Sequence, residues 1–242
     1  MLFTAAAVLA LPLSVARAQV TAAPVHGQDA TMTVTDLVVG KVQGKSATNA
    51  LTTVYDNTSS TPQTGISSTD LTSIWGDELF TTGLGLLSTH KFTLYNASGS
   101  AGPLLSATVN ISFYDAPSST FLGGYSGTIA FGSGLPVGSF STITASSLDA
   151  LLINLTSTDL VVIQTVTAKT GAASRLGVVS LDPVLVGSSP TTMYIQSATI
   201  AGGVPGFYNL GVTTDVGNFI GVNPPPVSTH SKTWGTLKKL YR

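Results

Sequence analysis

The chain has 242 residues, of which ten are Lys or Arg and eleven are Asp or Glu, and it contains no Cys. A charged share of 9% stands far below the roughly 25% usual for soluble domains. With 43% apolar residues, this composition excludes a disordered polyelectrolyte, disulfide or Cys-based zinc frameworks, and a basic nucleic-acid footprint over most of the length.

Residues 2–11 form a short apolar run that ends at Pro12, and Ala16 and Ala18 fit the small-residue pattern of a signal peptidase site. Residues 1–18 therefore read as a cleaved signal peptide, with Gln19 as the new terminus. Two features depart from the usual pattern: no Lys or Arg precedes the run, and Arg17 sits close to the cut. A membrane anchor would need about 20 apolar residues, more than Pro12 allows. No later stretch is long and apolar enough to span a bilayer.

Residues 19–222 read as one domain. Ser and Thr together make about a quarter of the chain, beside 25 Gly, a composition that favours strands over long helices. Residues 19–33 are polar and lack clear periodicity until Met32, Val34 and Leu37 suggest a first strand. A second candidate covers residues 48–55, and the polar run 56–62 reads as a turn. Within residues 68–79, Leu71, Ile74 and Trp75 are spaced to share one face of a short helix. Ser68 or Thr69 would cap that helix and Gly76 would limit it.

The strongest strand signal follows. Leu105, Ala107, Val109, Ile111 and Phe113 alternate with polar residues up to Tyr114, a period of two that makes one face apolar. Residues 115–119 read as a turn and 121–131 as the returning strand, with Gly123, Gly124 and Gly127 marking bends. Further strands are expected over 91–95, 140–145, 151–155, 160–168, 175–181, 192–198 and 207–213. About ten strands with no long intervening helix predict an all-β, two-sheet antiparallel β-sandwich with one short helix. A jelly-roll is one way of ordering its strands.

Residues 223–230 hold three consecutive prolines and read as an extended linker. Residues 231–242 form a basic and aromatic tail. Trp234, Leu237, Leu240 and Tyr241 would line one side of a short helix and Lys238, Lys239 and Arg242 the other, a pattern suited to sorting or cell-envelope contact.

Candidate chemistry is sparse. His26, His90 and His230 lack zinc-motif spacing and read as solvated side chains. No Gly-x-Ser-x-Gly elbow accompanies the many serines. Asp70, Asp77 and Glu78 are hard oxygen ligands that could hold calcium, although the spacing of a known calcium loop is absent. Helix capping and surface charge are the plainer roles for them. Asn57, Asn96, Asn110 and Asn154 begin N-glycosylation triplets, which arise by chance in a chain this rich in Ser and Thr. Trp75, Tyr95, Tyr114, Tyr125, Tyr194 and Tyr208 could form a sugar-binding surface, or pack the core.

The stretch 53–58, followed by 67–70 and 74–77, resembles exported bacterial β-rich proteins that carry a C-terminal sorting-like tail. Residues 101–104, 175–177 and 203–208 extend the resemblance, and the ending Trp234-Gly235-x-x-Lys238-x-x-Tyr241-Arg242 looks like their recurring tail. The resemblance implies secretion or placement at the bacterial cell surface. It supplies no catalytic residues. Three functions are open on this reading. The first is a noncatalytic structural or adhesion-like protein of the cell surface or extracellular matrix, with cell-envelope components, polysaccharide or itself as partner. The second is a carbohydrate-binding module-like protein, and the third a secreted hydrolase. No cofactor is expected beyond the calcium candidate, and no nucleic acid. Intact mass of the exported product should show a chain beginning at Gln19; one beginning at Met1 would refute the leader.

Overall fold

Side-chain alternation becomes strand structure in the computed structural model, which describes residues 19–21, 23–38, 50–200, 203–212 and 214–224. The expected leader, most of the Pro-rich linker, His230 and the tail residues Trp234, Leu237, Lys238, Lys239, Tyr241 and Arg242 lie outside the described residues. In chain order the strands are β1 (Gln19–Thr21), β2 (Val25–His26), β3 (Ala30–Val38), β4 (Thr52–Asp56), β5 (Thr61–Ser68), β6 (Ile74–Phe80), β7 (Gly85–Asn96) and β8 (Leu104–Asp115). They continue with β9 (Thr120–Leu135), β10 (Ser139–Ala145), β11 (Asn154–Leu155), β12 (Asp159–Gly171), β13 (Leu176–Asp182), β14 (Met193–Gln196), β15 (Gly206–Tyr208) and β16 (Asn218–Asn223).

The expected two-sheet sandwich is corrected. The strands form one hydrogen-bonded sheet in the order β1-β5-β13-β7-β10-β3-β9-β8-β12-β6-β14-β15, with β2, β4, β11 and β16 attached to its side. Strand β3 joins what would have been two sheets, pairing with β10 in parallel and with β9 antiparallel. The sheet curls into an open half-barrel whose end strands, β1 and β15, do not meet. Alternation reports that one face of each strand is buried. It does not report whether the strands closing that core belong to one ladder or two.

The expected short helix is also corrected. Among the described residues there is no α-helix, only a 3-10 turn at Leu148–Leu151. Residues 68–79 are the end of β5, a turn and most of β6. Asp70 shapes the turn, its Oδ1 accepting hydrogen bonds from the Thr72 amide at 3.1 Å and the Thr72 hydroxyl at 2.7 Å. Such local capture of the backbone competes with helix. From Ile74 onward the period is two: Trp75, Asp77 and Leu79 are buried, while Ile74 and Glu78 are half-buried and Phe80 is exposed. No helical face exists for Leu71, Ile74 and Trp75 to share.

Strands β8 and β9 form a long antiparallel hairpin. The alternation of β8 buries Ala107, Val109, Ile111 and Phe113. Leu105, expected inside, is 44% exposed, because the ladder shifts register between Leu104 and Ser106. Strand β7 is the spine of the opposite wall. It pairs with β10 and β11 along one edge, and with β16 and then β13 along the other. The two walls meet in one large apolar cluster that includes Phe92, Leu94, Ile111, Phe113, Tyr125 and Leu160. No helix among the described residues is long and apolar enough to cross a membrane.

A chain of polar groups runs through this core. Asn57, fully buried, donates from Nδ2 to the carbonyls of Leu181, Asp215 and Val216, and its Oδ1 accepts from the Asn218 amide at 2.7 Å. Asn218 Oδ1 lies 3.1 Å from His90 Nε2, and His90 Nδ1 lies 2.7 Å from the Tyr125 hydroxyl. His90 is thus a core group bridging β7 to β9, where a solvated side chain was expected. Burial lowers its pKa to about 4, so the ring is neutral at pH 7.

The seam at β3 depends on a close approach. Gly127 of β9 stands opposite Val34, beside a register shift in β3. A Cβ there would lie 2.5 Å from the Thr33 carbonyl oxygen and 2.7 Å from Met32 Cε. Gly127→Ala should therefore force the two strands apart. Urea denaturation should show a loss of about 1–3 kcal/mol, the usual cost of overpacking. An unchanged stability would refute the tight seam.

Candidate functional site

The outward positions of the sheet form a grid that can be read from the ladders. Across β6, β12, β8 and β9, one row holds Glu78, Val161, Tyr114 and Phe121. The next row holds Tyr194 of β14, then Gly76, Ile163 and Ser112. A third holds Gln196, Ile74, Thr165 and Asn110. Their neighbours along each strand point inward, because successive side chains alternate.

Two adjoining depressions open on this grid. One of about 400 Å³ is lined by Glu78, Tyr114, Asp115, Val161, Tyr194 and Phe207, among others. The second, of about 300 Å³, shares Tyr114, Ile163 and Tyr194 with it and adds Asn110, Ser112 and Gln196. Together they make a continuous groove across the strands. Gly76 stands between Tyr194 and Ile163, and a Cβ there would be 3.2 Å from Tyr194 Cβ and 3.1 Å from Ile163 Cγ1. The missing side chain lets the groove walls stand close.

Aromatic rings set the groove's character. Tyr194 and Phe207, paired across β14 and β15, meet edge-on with centroids 5.6 Å apart. Tyr114 and Phe121 make a second pair at 5.3 Å. Tyr114, Phe121 and Tyr194 are half-buried and Phe207 is exposed. Amide and hydroxyl side chains flank them at Asn110, Ser112, Thr165 and Gln196. Flat rings beside short polar donors and acceptors can stack on the C–H faces of a sugar and bond its hydroxyls.

Three of the six aromatics singled out from sequence are core groups: Trp75, Tyr95 and Tyr125 are buried. Tyr208 is half-buried, and its hydroxyl donates to the Val204 carbonyl at 2.6 Å. The groove brings together Tyr114 and Tyr194, and adds Phe207, which sequence reasoning passed over. Phe207 lies on a three-residue strand after Pro205, too short for alternation to register.

Asp70, Asp77 and Glu78 do not come together. Asp70 holds the turn before β6, and its Oδ2 accepts from the Ala198 amide at 2.8 Å. Asp77 points into the core, and Glu78, the next residue along β6, points into the groove. Among the described residues no three His, Asp or Glu side chains are placed to hold a metal ion. Asn57 and Asn96 are fully buried and so serve as structural amides.

Asp77 belongs to a buried acid pair. Its Oδ1 accepts from the Ser189 hydroxyl at 3.1 Å and its Oδ2 from the Val216 amide at 2.9 Å. Burial, then the charge of Asp215, pushes Asp77 well above the usual carboxylate range. Burial, then Asp182, raises Asp215 to about 6. Burial and these two acids also raise the Tyr55 hydroxyl. The serine hydroxyl serves Asp77 here, while both nitrogens of His90 face Tyr125 and Asn218. A Ser–His90 pair is not assembled.

A larger hollow of about 470 Å³ lies elsewhere, between the start of β3 and the end of β9. Gly, Ala and Pro make up much of its lining, and Asp29 is its single charged side chain, so it offers little chemistry. No protein-family model, no curated protein and no solved structure matches the chain, and the reading of the groove rests on its own geometry.

The buried groups oppose one another in acid. A His with a depressed folded pKa contributes stability above its unfolded value of about 6.5, and that stability is lost as pH falls toward the folded value. Asp77 and Asp215, raised in the folded state, impose a penalty that is relieved as pH falls through their folded values. Asp215→Asn should therefore lose stability more steeply than the parent between pH 6.5 and 4, in urea midpoints measured across that range. Parallel curves would refute the raised Asp215.

Proposed function

We propose that the protein is an exported, noncatalytic, adhesion-like protein that holds oligosaccharide in the groove on the outer face of its sheet. This joins the first two readings of the sequence. One observation carries it: Tyr114, Tyr194 and Phe207 converge on the solvent side of the sheet, among Asn110, Ser112 and Gln196. Large rings on a sheet surface expose apolar area that a lone soluble domain gains nothing by displaying, and such clusters mark interaction sites. The side chains around them suit hydroxyl groups better than a purely apolar partner.

The leader-like residues 1–18 and the resemblance to exported bacterial proteins support secretion or placement at the bacterial cell surface. Polysaccharide and other cell-envelope components are the partners encountered there. The Cys-free sequence folds independently of the redox state of that compartment. The basic tail, residues 231–242, is the proposed point of sorting or envelope contact. The hydrolase reading has less support, because the most perturbed acid, Asp77, is closed off from the groove and from solvent.

Replacing Tyr114 or Tyr194 by Ala should weaken oligosaccharide binding about tenfold, in the range of an interface anchor. Stability should change by no more than about 1 kcal/mol, the scale of a lost cross-strand pair. Calorimetric titration against a panel of neutral and charged oligosaccharides, with a urea curve for each variant, measures both. Binding that survives both substitutions at full strength would refute the groove as the site.

A further inference from the structure

The groove is acidic as well as aromatic. Glu78 and Asp115 line it, and Asp159, on the edge of the same face, stands next but one to Val161, the residue paired with Glu78. None of the side chains lining either depression is Lys, Arg or His. Asp115 accepts from the Ser118 hydroxyl, which holds its carboxyl below the usual range and keeps it ionised.

Glu78 and Asp159 are poorly compensated. Asp159 Oδ1 is buried and has no hydrogen-bond partner among the described residues. Burial, then the charge of Asp159 and a hydrogen bond between the two carboxyls, raises Glu78. Two carboxyls this close repel each other when both are charged. An ammonium group would serve both, placing a positive charge between them.

The charge of the whole domain points the same way. Residues 19–222 hold eleven Asp and Glu against five Lys or Arg: Lys41, Lys45, Lys91, Lys169 and Arg175. The excess of six negative charges draws cations toward the surface. Rings and hydroxyl-bearing side chains on an open sheet face favour a sugar over a peptide. An extended peptide would gain main-chain hydrogen bonds along a strand edge, whereas the groove runs across β8, β12, β6 and β14 and meets the sheet's edge only at Phe207 of β15.

We propose that the groove selects amino sugars with free, protonated amines, the sugar rings lying on Tyr114 and Tyr194 and an ammonium group seated at Glu78 and Asp159. This rests on the glycan-binding reading of the same groove. The carboxylates supply the selectivity and the rings the contact area.

The test is calorimetric titration of the full-length mature chain in mildly acidic, low-salt buffer with four probes. These are a β-1,4-linked glucosamine hexamer, the N-acetylglucosamine hexamer, the glucose hexamer and hexalysine. The glucosamine hexamer should bind about tenfold tighter than either neutral sugar, the scale of one charge-assisted contact. Added salt should narrow the difference, and Glu78→Gln should reduce it below about threefold. Equal binding of all three sugars would overturn the amine preference and leave glycan binding standing. Binding of no sugar would overturn both. Hexalysine binding as tightly as the glucosamine hexamer, or a preference untouched by Glu78→Gln, would overturn the proposed seat.

Discussion

The buried amide of Asn57 adds a side-chain tie where β4, β13 and the approach to β16 already meet through backbone hydrogen bonds. Its side chain satisfies three carbonyls and one amide from the segments around Leu181 and residues 215–218. They lie on β13 and on the segment that leads into β16. The Asn218 amide, left unpaired in the core, would cost roughly 1–3 kcal/mol, while the Asp215 and Val216 carbonyls also accept from the Leu181 amide and from Asn218 Nδ2. Asn218 then passes the connection to His90, and His90 to Tyr125 on the facing wall. A single amide thus sets the depth at which β16 enters, and the histidine sets the spacing between the two walls of the half-barrel. Inside a low-dielectric core such a network is stable only when every member is satisfied. That requirement confers a specific register on a sheet whose apolar contacts alone would tolerate sliding.

The acid pair close by has a different character. Asp77 is held by Ser189 and the Val216 amide, but Asp215 presses on it and no cation stands by among the described residues. The fold accepts this strain because the same carboxylate anchors the segment leading into β16. A carboxamide could make the Val216 contact without the charge. Retaining an acid at this position makes stability depend on pH, the penalty easing as the raised carboxyls take up protons. The neutral His90, a few residues away along the same network, has the reverse dependence.

The sequence made some of this legible and hid the rest for physical reasons. Strand β8 could be read because ten residues of alternation leave few other structures open, and its bulge at Leu105 escaped because a register shift leaves no mark in composition. Residues 68–79 misled because Leu71, Ile74 and Trp75 match a helical spacing by coincidence, while Asp70 and Thr72 close a turn through side-chain bonds. The single sheet was hidden because β3 reads as an ordinary strand, and its role as a seam depends on the partners it finds. Strands β5 and β16 were passed over because Pro62, Gly65 and Gly221 interrupt their patterns. Of the groove, Tyr114 was indicated by its outward parity. Tyr194 gained meaning only once β14 paired with β6, and Phe207 only with β15. Asp159 was not distinguishable from any other surface acid until β12 was laid beside β6.

The alternation that builds the groove also separates two kinds of selection on the same strands. In β6, Asp77 and Leu79 answer to the core, while Gly76 and Glu78 answer to whatever lies on the outer face. The same division runs through β8, β12 and β14. A chain organised in this way can drift in specificity without renegotiating its fold, because the outward residues are rooted in a scaffold that the inward ones maintain. Related chains should then differ most at the positions of Tyr114, Ile163 and Tyr194 while keeping their immediate neighbours. The sheet is in that sense a fixed lattice with exchangeable fittings.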